Sequence, residues 1–231
     1  VFVLTKSAQG SFVYKLLIFD WDGTVIDSTA RIISSMQAAA EDCGFPVPAS
    51  SAVMNIIGLG LPEAIRLLIP AVDDAGIDQM RTQYGHHFLG VNETPTPLFP
   101  GVQKTLESMH AKGMRMAVAT GKSRRGLDRA FVQTGLAWLF ESSRCADETV
   151  SKPNPLMLEE ILAETGVSAS EALMIGDTEY DLDMGRRAGM DVIAVSYGAH
   201  HIDRLKGFNP VLEVDNFPEL EQWLDSKGVF A

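Results

Sequence analysis

Cysteine is scarce in this chain: its 231 residues include two, Cys43 and Cys145. Two thiols cannot build a disulfide framework, and their spacing suits no zinc site. They are expected as reduced thiols in a cytoplasmic protein. Positive charge is also in short supply, with 19 Lys+Arg against 30 Asp+Glu and a formal net charge of −11. Such a balance lacks the electrostatic footprint of nucleic-acid binding or of attachment to an anionic membrane. A local basic pocket for a small anion stays open. No apolar run reaches the ~18 residues needed to span a bilayer. The first stretch, VFVLTKSAQGSFVYK, has no basic start, long apolar core or A-x-A cleavage site, and is not read as a signal peptide. The rest of the composition is ordinary for a globular protein, 46% hydrophobic and 21% charged. The length suits one large domain or one domain with a small insert, and is ample for a buried core.

Four short apolar runs stand out: residues 14–19 (YKLLIF), 114–119 (MRMAVA), 172–175 (ALMI) and 192–195 (VIAV). Runs of this kind without alternation suit strands buried on both faces, as in a parallel sheet. A weaker fifth lies at 211–214. Helical patterns at 103–111, 156–164 and 217–224 separate or follow them. Strand–helix alternation predicts a doubly wound α/β fold, a Rossmann-like parallel-sheet core. One region breaks the rhythm. From Ser28 to Leu98 no convincing strand is present. Ser28 reads as the N-cap of a helix over 29–43 that Gly44 stops. Pro62 fits the first turn of a helix through Leu68, and a third helical pattern covers 78–89. A proline-rich connection, 92–100, then returns the chain to the strand–helix pattern. The expectation is an inserted α-helical domain.

The residues with chemical potential sit where these strands end. Asp20-Trp21-Asp22-Gly23-Thr24 follows the first run directly. In open α/β sheets ligands bind at the carboxyl ends of strands. A calcium loop fails on spacing: counting from Asp20, position 6 is Val25 rather than Gly and position 12 is Arg31 rather than Glu. Thr120-Gly121-Lys122-Ser123 ends the second run. It is not a nucleotide phosphate loop, because the required first glycine would be Met116. A hydroxyl and free N–H groups at a strand end can still hold a phosphate. Lys152 lies before a helix, with Pro153 and Pro155 fixing the backbone around it. Gly176-Asp177-Thr178-Glu179-Tyr180-Asp181 follows the third run, its two acids sharing a cation or capping a helix. Together these groups offer a nucleophile, a proton donor, a cation site and positive donors, the parts needed for phosphoryl transfer. Clustered carboxylates would repel one another unless a cation sat among them, and oxygen-only ligands point to Mg²⁺.

The order DxDGT, strand-end Thr, Lys, GDxxxD resembles the haloacid dehalogenase superfamily over nearly the whole chain. The helical insert, with Ile56-Ile57-Gly58-Leu59-Gly60-Leu61, is similar to the cap of the phosphoglycolate phosphatase-like branch. The resemblance implies a catalytic core of residues 1–27 and 97–231 and a helical cap of residues 28–96. It implies that Asp20 is the nucleophile and forms an aspartyl-phosphate. Asp22 would protonate the leaving oxygen and then activate water. Thr120 and Lys152, with Gly121 nearby, would hold the phosphoryl oxygens. Asp20, the Asp22 carbonyl and Asp177 would bind Mg²⁺, and Asp181 would support the metal or Lys152. Dehalogenases of the superfamily lack the second acid, so Asp22 favours phosphoryl transfer. The implied function is a Mg²⁺-dependent phosphatase acting on a small phosphorylated metabolite, phosphoglycolate among the candidates, in the cytoplasm, as a monomer or weak homodimer. The alternatives are a phosphomutase of the β-phosphoglucomutase type and a non-catalytic phosphate-binding module.

Other features read as structural. Gly58-Leu59-Gly60 is no dinucleotide fingerprint, because Glu63 stands at the third glycine position, and it reads as a cap loop facing the site. The adjacent pairs His86-His87 and His200-His201 read as surface histidines. Arg124, Arg125 and Arg129 read as a solvated helix face, with one reaching a substrate carboxylate as the other reading. Trp21 either shapes the pocket or packs behind it.

Overall fold

The computed structural model describes residues 14–230. The reading of the N-terminal stretch as lacking a signal peptide falls largely on residues 1–13, outside the described part. Six parallel strands form one sheet: β1 (Leu16–Phe19), β2 (Arg115–Thr120), β3 (Ser142–Cys145), β4 (Ala172–Gly176), β5 (Asp191–Val195) and β6 (Leu212–Val214). Their spatial order is β3-β2-β1-β4-β5-β6. The chain winds outward from β1 to β3, then returns to place β4 on the other side of β1. That reversal makes β1 the topological switch point, where the connections diverge and leave a crevice at the strand ends.

Alternation along each strand divides the core in two. Leu17 and Phe19 of β1, Met116 and Val118 of β2, and Leu173 and Ile175 of β4 enter one apolar cluster. Leu16, Ile18, Ala117, Ala119, Ala172 and Met174 enter the cluster on the opposite face. Both faces being buried explains why these strands read as unbroken apolar runs. The helices α5 (Val102–Ala111), α6 (Arg124–Thr134), α7 (Leu156–Thr165), α8 (Glu179–Arg187), α9 (Ile202–Leu205) and α10 (Pro218–Ser226) flank the sheet. Trp21 packs behind the site: it is fully buried, its ring edge-on to Phe131 at 5.1 Å and Phe140 at 5.9 Å.

β3 was not anticipated. Its sequence, SSRC, is polar because it lies at the sheet edge. There Arg144 pairs with Glu160 and Glu164, and the Ser142 hydroxyl donates to Glu164. An edge strand with charged partners does not show the apolar signal of a central one.

The segment after β1 is helical: α1 (Thr29–Asp42), α2 (Ser50–Ile56), α3 (Leu61–Leu68) and α4 (Asp74–His86), followed by a π-helical turn, His87–Val91. Ile32, Met36 and Ala39 lie on one face of α1. They meet Val53, Ile65, Ile77 and Met80 of the other three in a separate apolar cluster. α4, expected from residue 78, starts at Asp74, because Asp73 caps it by accepting from the Gly76 N–H at 2.8 Å. α2 was not anticipated either; its seven residues are too few to show periodicity. Ser28 stands at the N-cap position of α1 as expected, but its side chain makes no cap hydrogen bond to the helix and its hydroxyl donates to Asp22. Among the described residues, no helix is long and apolar enough to cross a membrane.

Candidate active site

Asp20 is the first residue beyond β1, and Asp177 is the first beyond neighbouring β4. The pairing of Phe19 with Ile175 sets the two carboxylates side by side at the switch point. Both are buried. Between them the chain doubles back: the Gly23 N–H donates to the Ile26 carbonyl and the Val25 N–H to the Trp21 carbonyl. Gly23 meets two requirements there. Its φ is +84°, and a Cβ at this position would lie 2.2 Å from Asp177 Oδ2. No other residue allows both the turn and the approach.

Lys152 enters the same place from the loop after β3. Its side chain is fully buried, and its Nζ donates to Asp20 Oδ1 at 2.7 Å and to Asp181 Oδ1 at 2.6 Å. Burial pulls the ammonium toward neutrality, but the Asp181 and Asp20 carboxylates more than offset it. The group is held above the ordinary lysine range, as a cation. Asp181 is fixed in turn by a capping box at the start of α8. Its Oδ2 accepts the Thr178 N–H at 3.1 Å and the Thr178 hydroxyl at 2.6 Å. Asp177 Oδ1 accepts the Thr24 hydroxyl at 2.9 Å, and its Oδ2 accepts the Ala199 N–H at 2.7 Å.

Three acids, Asp20, Asp177 and Asp181, each offer an oxygen within 4.8 Å of the others. One buried ammonium faces them, so the cluster carries excess negative charge. Burial, and then the Asp181 carboxylate, push Asp177 up to about 7. Burial and the neighbouring Asp181 and Asp177 likewise hold Asp20 well above the usual carboxylate range, against the pull of Lys152. Asp20 Oδ2 is buried and has no hydrogen-bond partner among the described residues. An orphaned carboxylate oxygen in an over-negative, oxygen-only cluster is the environment a hard divalent cation relieves.

Asp22 sits apart from this network. Its Oδ1 accepts the Ser28 hydroxyl at 2.5 Å and the Lys122 ammonium at 2.9 Å. Thr120 ends β2, beside β1. Its hydroxyl accepts the Lys122 N–H at 3.2 Å and makes no bond to the carboxylates. Gly121 follows it under the helical layer: a Cβ there would lie 2.5 Å from the Gly58 carbonyl oxygen and 2.6 Å from that of Leu59. The loop expected to face the site therefore does so.

Sequence reading brought together Asp20, Lys152, Asp177 and Asp181, with Asp22, Thr120 and Gly121 on adjoining strand ends. It missed the roles of Thr24, Ser28 and Lys122. Lys122 was visible as a basic residue two positions past a strand-end Thr, but nothing local says that it pairs with Asp22. The reading of His200 as a surface residue is corrected: it is 1% exposed. Its Nδ1 accepts the Glu179 N–H at 3.2 Å, which leaves the proton on Nε2, facing the Asn55 carbonyl at 3.3 Å. The Tyr180 hydroxyl donates to the same carbonyl at 2.9 Å, and Arg204 donates to Asn55 Oδ1 at 2.8 Å. Asn55 of α2 is thus gripped by three residues of the sheet layer. Of the arginines read as a solvated helix face, Arg125 and Arg129 are exposed, but Arg124 is tied to Glu148 and Ser143.

Comparison with known proteins gives the family. The family model for haloacid dehalogenase-like hydrolases matches residues 17–195. The chain is 34% identical over 209 residues to "Probable phosphatase IndB" of Dickeya dadantii strain 3937, covering 89% of this chain and 91% of that protein. It is 28% identical over 214 residues to a phosphoglycolate phosphatase of Aliivibrio fischeri, covering 89% and 94%. A crystal structure described as a predicted phosphoglycolate phosphatase of Haemophilus somnus 129PT superposes with a TM-score of 0.83 at 23% identity, covering 91% of this chain and 97% of that one. The chain belongs to the haloacid dehalogenase-like hydrolase family and is an enzyme of its phosphatase kind.

Proposed function

We propose that the protein is a Mg²⁺-dependent phosphatase that hydrolyses a small phosphomonoester through an aspartyl-phosphate on Asp20. The observation that carries this reading is the state of Asp20: one oxygen is held by Lys152 at 2.7 Å, while the other is buried and unpartnered among the described residues. A carboxylate so held has a fixed orientation and keeps lone pairs that no protein donor occupies.

One carboxylate oxygen of Asp20 attacks phosphorus. The new P–O bond forms as the ester P–O bond breaks, and Asp22 gives its proton to the departing oxygen. Asp22, now a carboxylate, takes a proton from water, whose oxygen attacks the phosphorus of the acyl phosphate. Inorganic phosphate leaves and Asp20 is restored. The Thr120 hydroxyl, the Gly121 N–H and the Lys152 ammonium hold the phosphoryl oxygens. Asp181 keeps Lys152 in place, and Ser28 and Lys122 keep Asp22 in place. Mg²⁺ held by Asp20, the Asp22 main-chain carbonyl and Asp177 supplies, when bound, the charge neutralisation that lets a phosphate dianion approach an aspartate.

Residues 28–96 act as a cap over a core of residues 1–27 and 97–231, hinged at 27–28 and 92–100. Closure excludes bulk water and brings cap residues to the leaving group. The setting is the cytoplasm, and phosphoglycolate is the first substrate to test because relatives over most of the chain carry that name. The experiment is phosphate release from a panel of small phosphomonoesters and an aryl phosphate, with Mg²⁺ and with EDTA. Release that needs both Mg²⁺ and Asp20, and disappears in Asp20→Asn with its fold intact, is expected. Release from Asp20→Asn at near-normal rate would overturn the mechanism. An isomeric sugar phosphate without net phosphate release would replace hydrolysis by a mutase reaction.

A further inference from the structure

In a chain with 30 acidic residues against 19 basic ones, most arginines find a carboxylate; Arg31, Arg125 and Arg129 form no ion pair among the described residues, and of these Arg31 and Arg129 share a cavity. They come from opposite sides of the cleft, Arg31 from α1 and Arg129 from α6. Both line one small cavity between the two layers, together with Ile26, Phe88, Thr96 and Lys122. Its volume is about 20 Å³, room for one water-sized group. Arg129 is otherwise exposed, so a larger group is admitted by turning one unrestrained side chain.

The cavity adjoins the chemistry. Lys122 lines it and also reaches Asp22 Oδ1 at 2.9 Å, on the side where the leaving oxygen receives its proton. The Phe88 ring organises the cations: Lys122 Nζ lies 4.7 Å and Arg31 Cζ 5.3 Å from its centre. Lys122 is held by Asp22 Oδ1, but neither guanidinium has an acidic partner among the described residues. Arg31 donates to the Asn92 carbonyl at the cap hinge, and its Nε is buried without a partner. Burial and the nearby Arg129 both work against the Arg31 charge. Two like charges facing one cavity, one with an unmet buried donor, form an arrangement completed by an anion.

We propose that Arg31 and Arg129 form a leaving-group subsite that selects phosphomonoesters whose alcohol portion bears a second anionic group, a carboxylate or another phosphate. The proposal rests on the phosphatase reading above and adds a specificity pair to it. An anionic tail would bridge cap and core, so binding of the right substrate and closure of the cap would be the same event.

The test compares three esters of matched length, ending in a carboxylate, a second phosphate or a neutral amide, by kcat/KM with Mg²⁺. Wild type is expected to favour at least one anionic ester over the amide by about tenfold or more, as loss of a charge-assisted hydrogen bond implies. Which anionic ester leads distinguishes the two sources of charge. Arg129→Gln and Arg31→Gln should each shrink that ratio about tenfold, while Arg129→Lys should keep most of it. The ratio is the readout because a merely structural defect lowers all three esters together. Equal use of the three esters by wild type, or an unchanged ratio in both glutamine variants, overturns the proposal. No turnover of any ester by wild type overturns the phosphatase reading instead.

Discussion

Lys152 is the one buried cation set against three buried carboxylates, so its removal has a calculable cost. In Lys152→Met the side chain keeps its length and bulk, but Asp20 Oδ1 and Asp181 Oδ1 lose donors at 2.7 and 2.6 Å. All three side chains are at most 1% exposed, so water cannot replace the lost ammonium. Breaking a buried pair from one side costs about 3–5 kcal/mol, since the remaining charge stays desolvated. Urea slopes reach about 3 kcal/mol/M for larger domains, so the unfolding midpoint should fall by about 1–2 M in EDTA. Tryptophan fluorescence is a suitable probe, because Trp21, Trp138 and Trp223 all lie outside residues 28–96 and report on the sheet layer. Adding Asp181→Asn to Lys152→Met should recover part of the loss by removing one of the stranded charges. Turnover should fall at least about a hundredfold, as when an oxyanion donor is deleted. A midpoint shift below about 0.3 M, or no recovery in the double variant, would refute the charge accounting of the site.

Gly121→Ala should block seating of the cap, since its Cβ would lie 2.5 Å from a carbonyl oxygen of the opposing loop. The expected result is a kcat/KM at least about tenfold lower with an unchanged thermal midpoint for the core. Gly23→Ala places an L side chain at φ +84° and 2.2 Å from Asp177 Oδ2. Its left-handed backbone alone costs about 1–2 kcal/mol, so a lower melting temperature and weakened stabilisation by Mg²⁺ are expected in calorimetry. His200 predicts a pH effect. Burial, and then the Arg204 guanidinium, hold its imidazole below the ordinary histidine value. Below about pH 6.5 the unfolded chain therefore binds the proton more readily than the folded one. That contribution to stability is intact at neutral pH and is lost as the pH falls through the window beneath 6.5. Melting curves of wild type should drop more between pH 7.5 and 5.5 than those of His200→Gln; parallel slopes would count against a buried neutral imidazole.

Much of this protein is legible in local sequence. The central strands β1, β2, β4 and β5 declare themselves because both their faces are buried, and burial on both faces leaves an unbroken apolar run. The acids, hydroxyl and lysine of the site are legible for a related reason: each follows a strand or precedes a helix, and parallel strands bring all their carboxyl ends to one edge. The all-helical character of residues 28–96 follows from stop and start signals within a few positions of one another. What the chain order alone does not determine is which groups meet across the fold. Ser28 is legible as the N-cap of α1, but that its hydroxyl goes to Asp22 is not, because the turn at Gly23 brings that carboxylate to it. His200 looks like a surface histidine, yet α8 and Asn55 close over it. β3 is silent in sequence because an edge strand stabilised by Arg144 and its glutamates needs no apolar pattern. The pairing of Lys122 with Asp22, and the convergence of Arg31 and Arg129 on one cavity, arise only when the helical layer settles on the sheet. Strand identity and motif position depend on neighbours a few residues away; ion pairing and burial also depend on groups distant in the chain, as with Lys122 and Asp22, whose separation is a property of the folded chain.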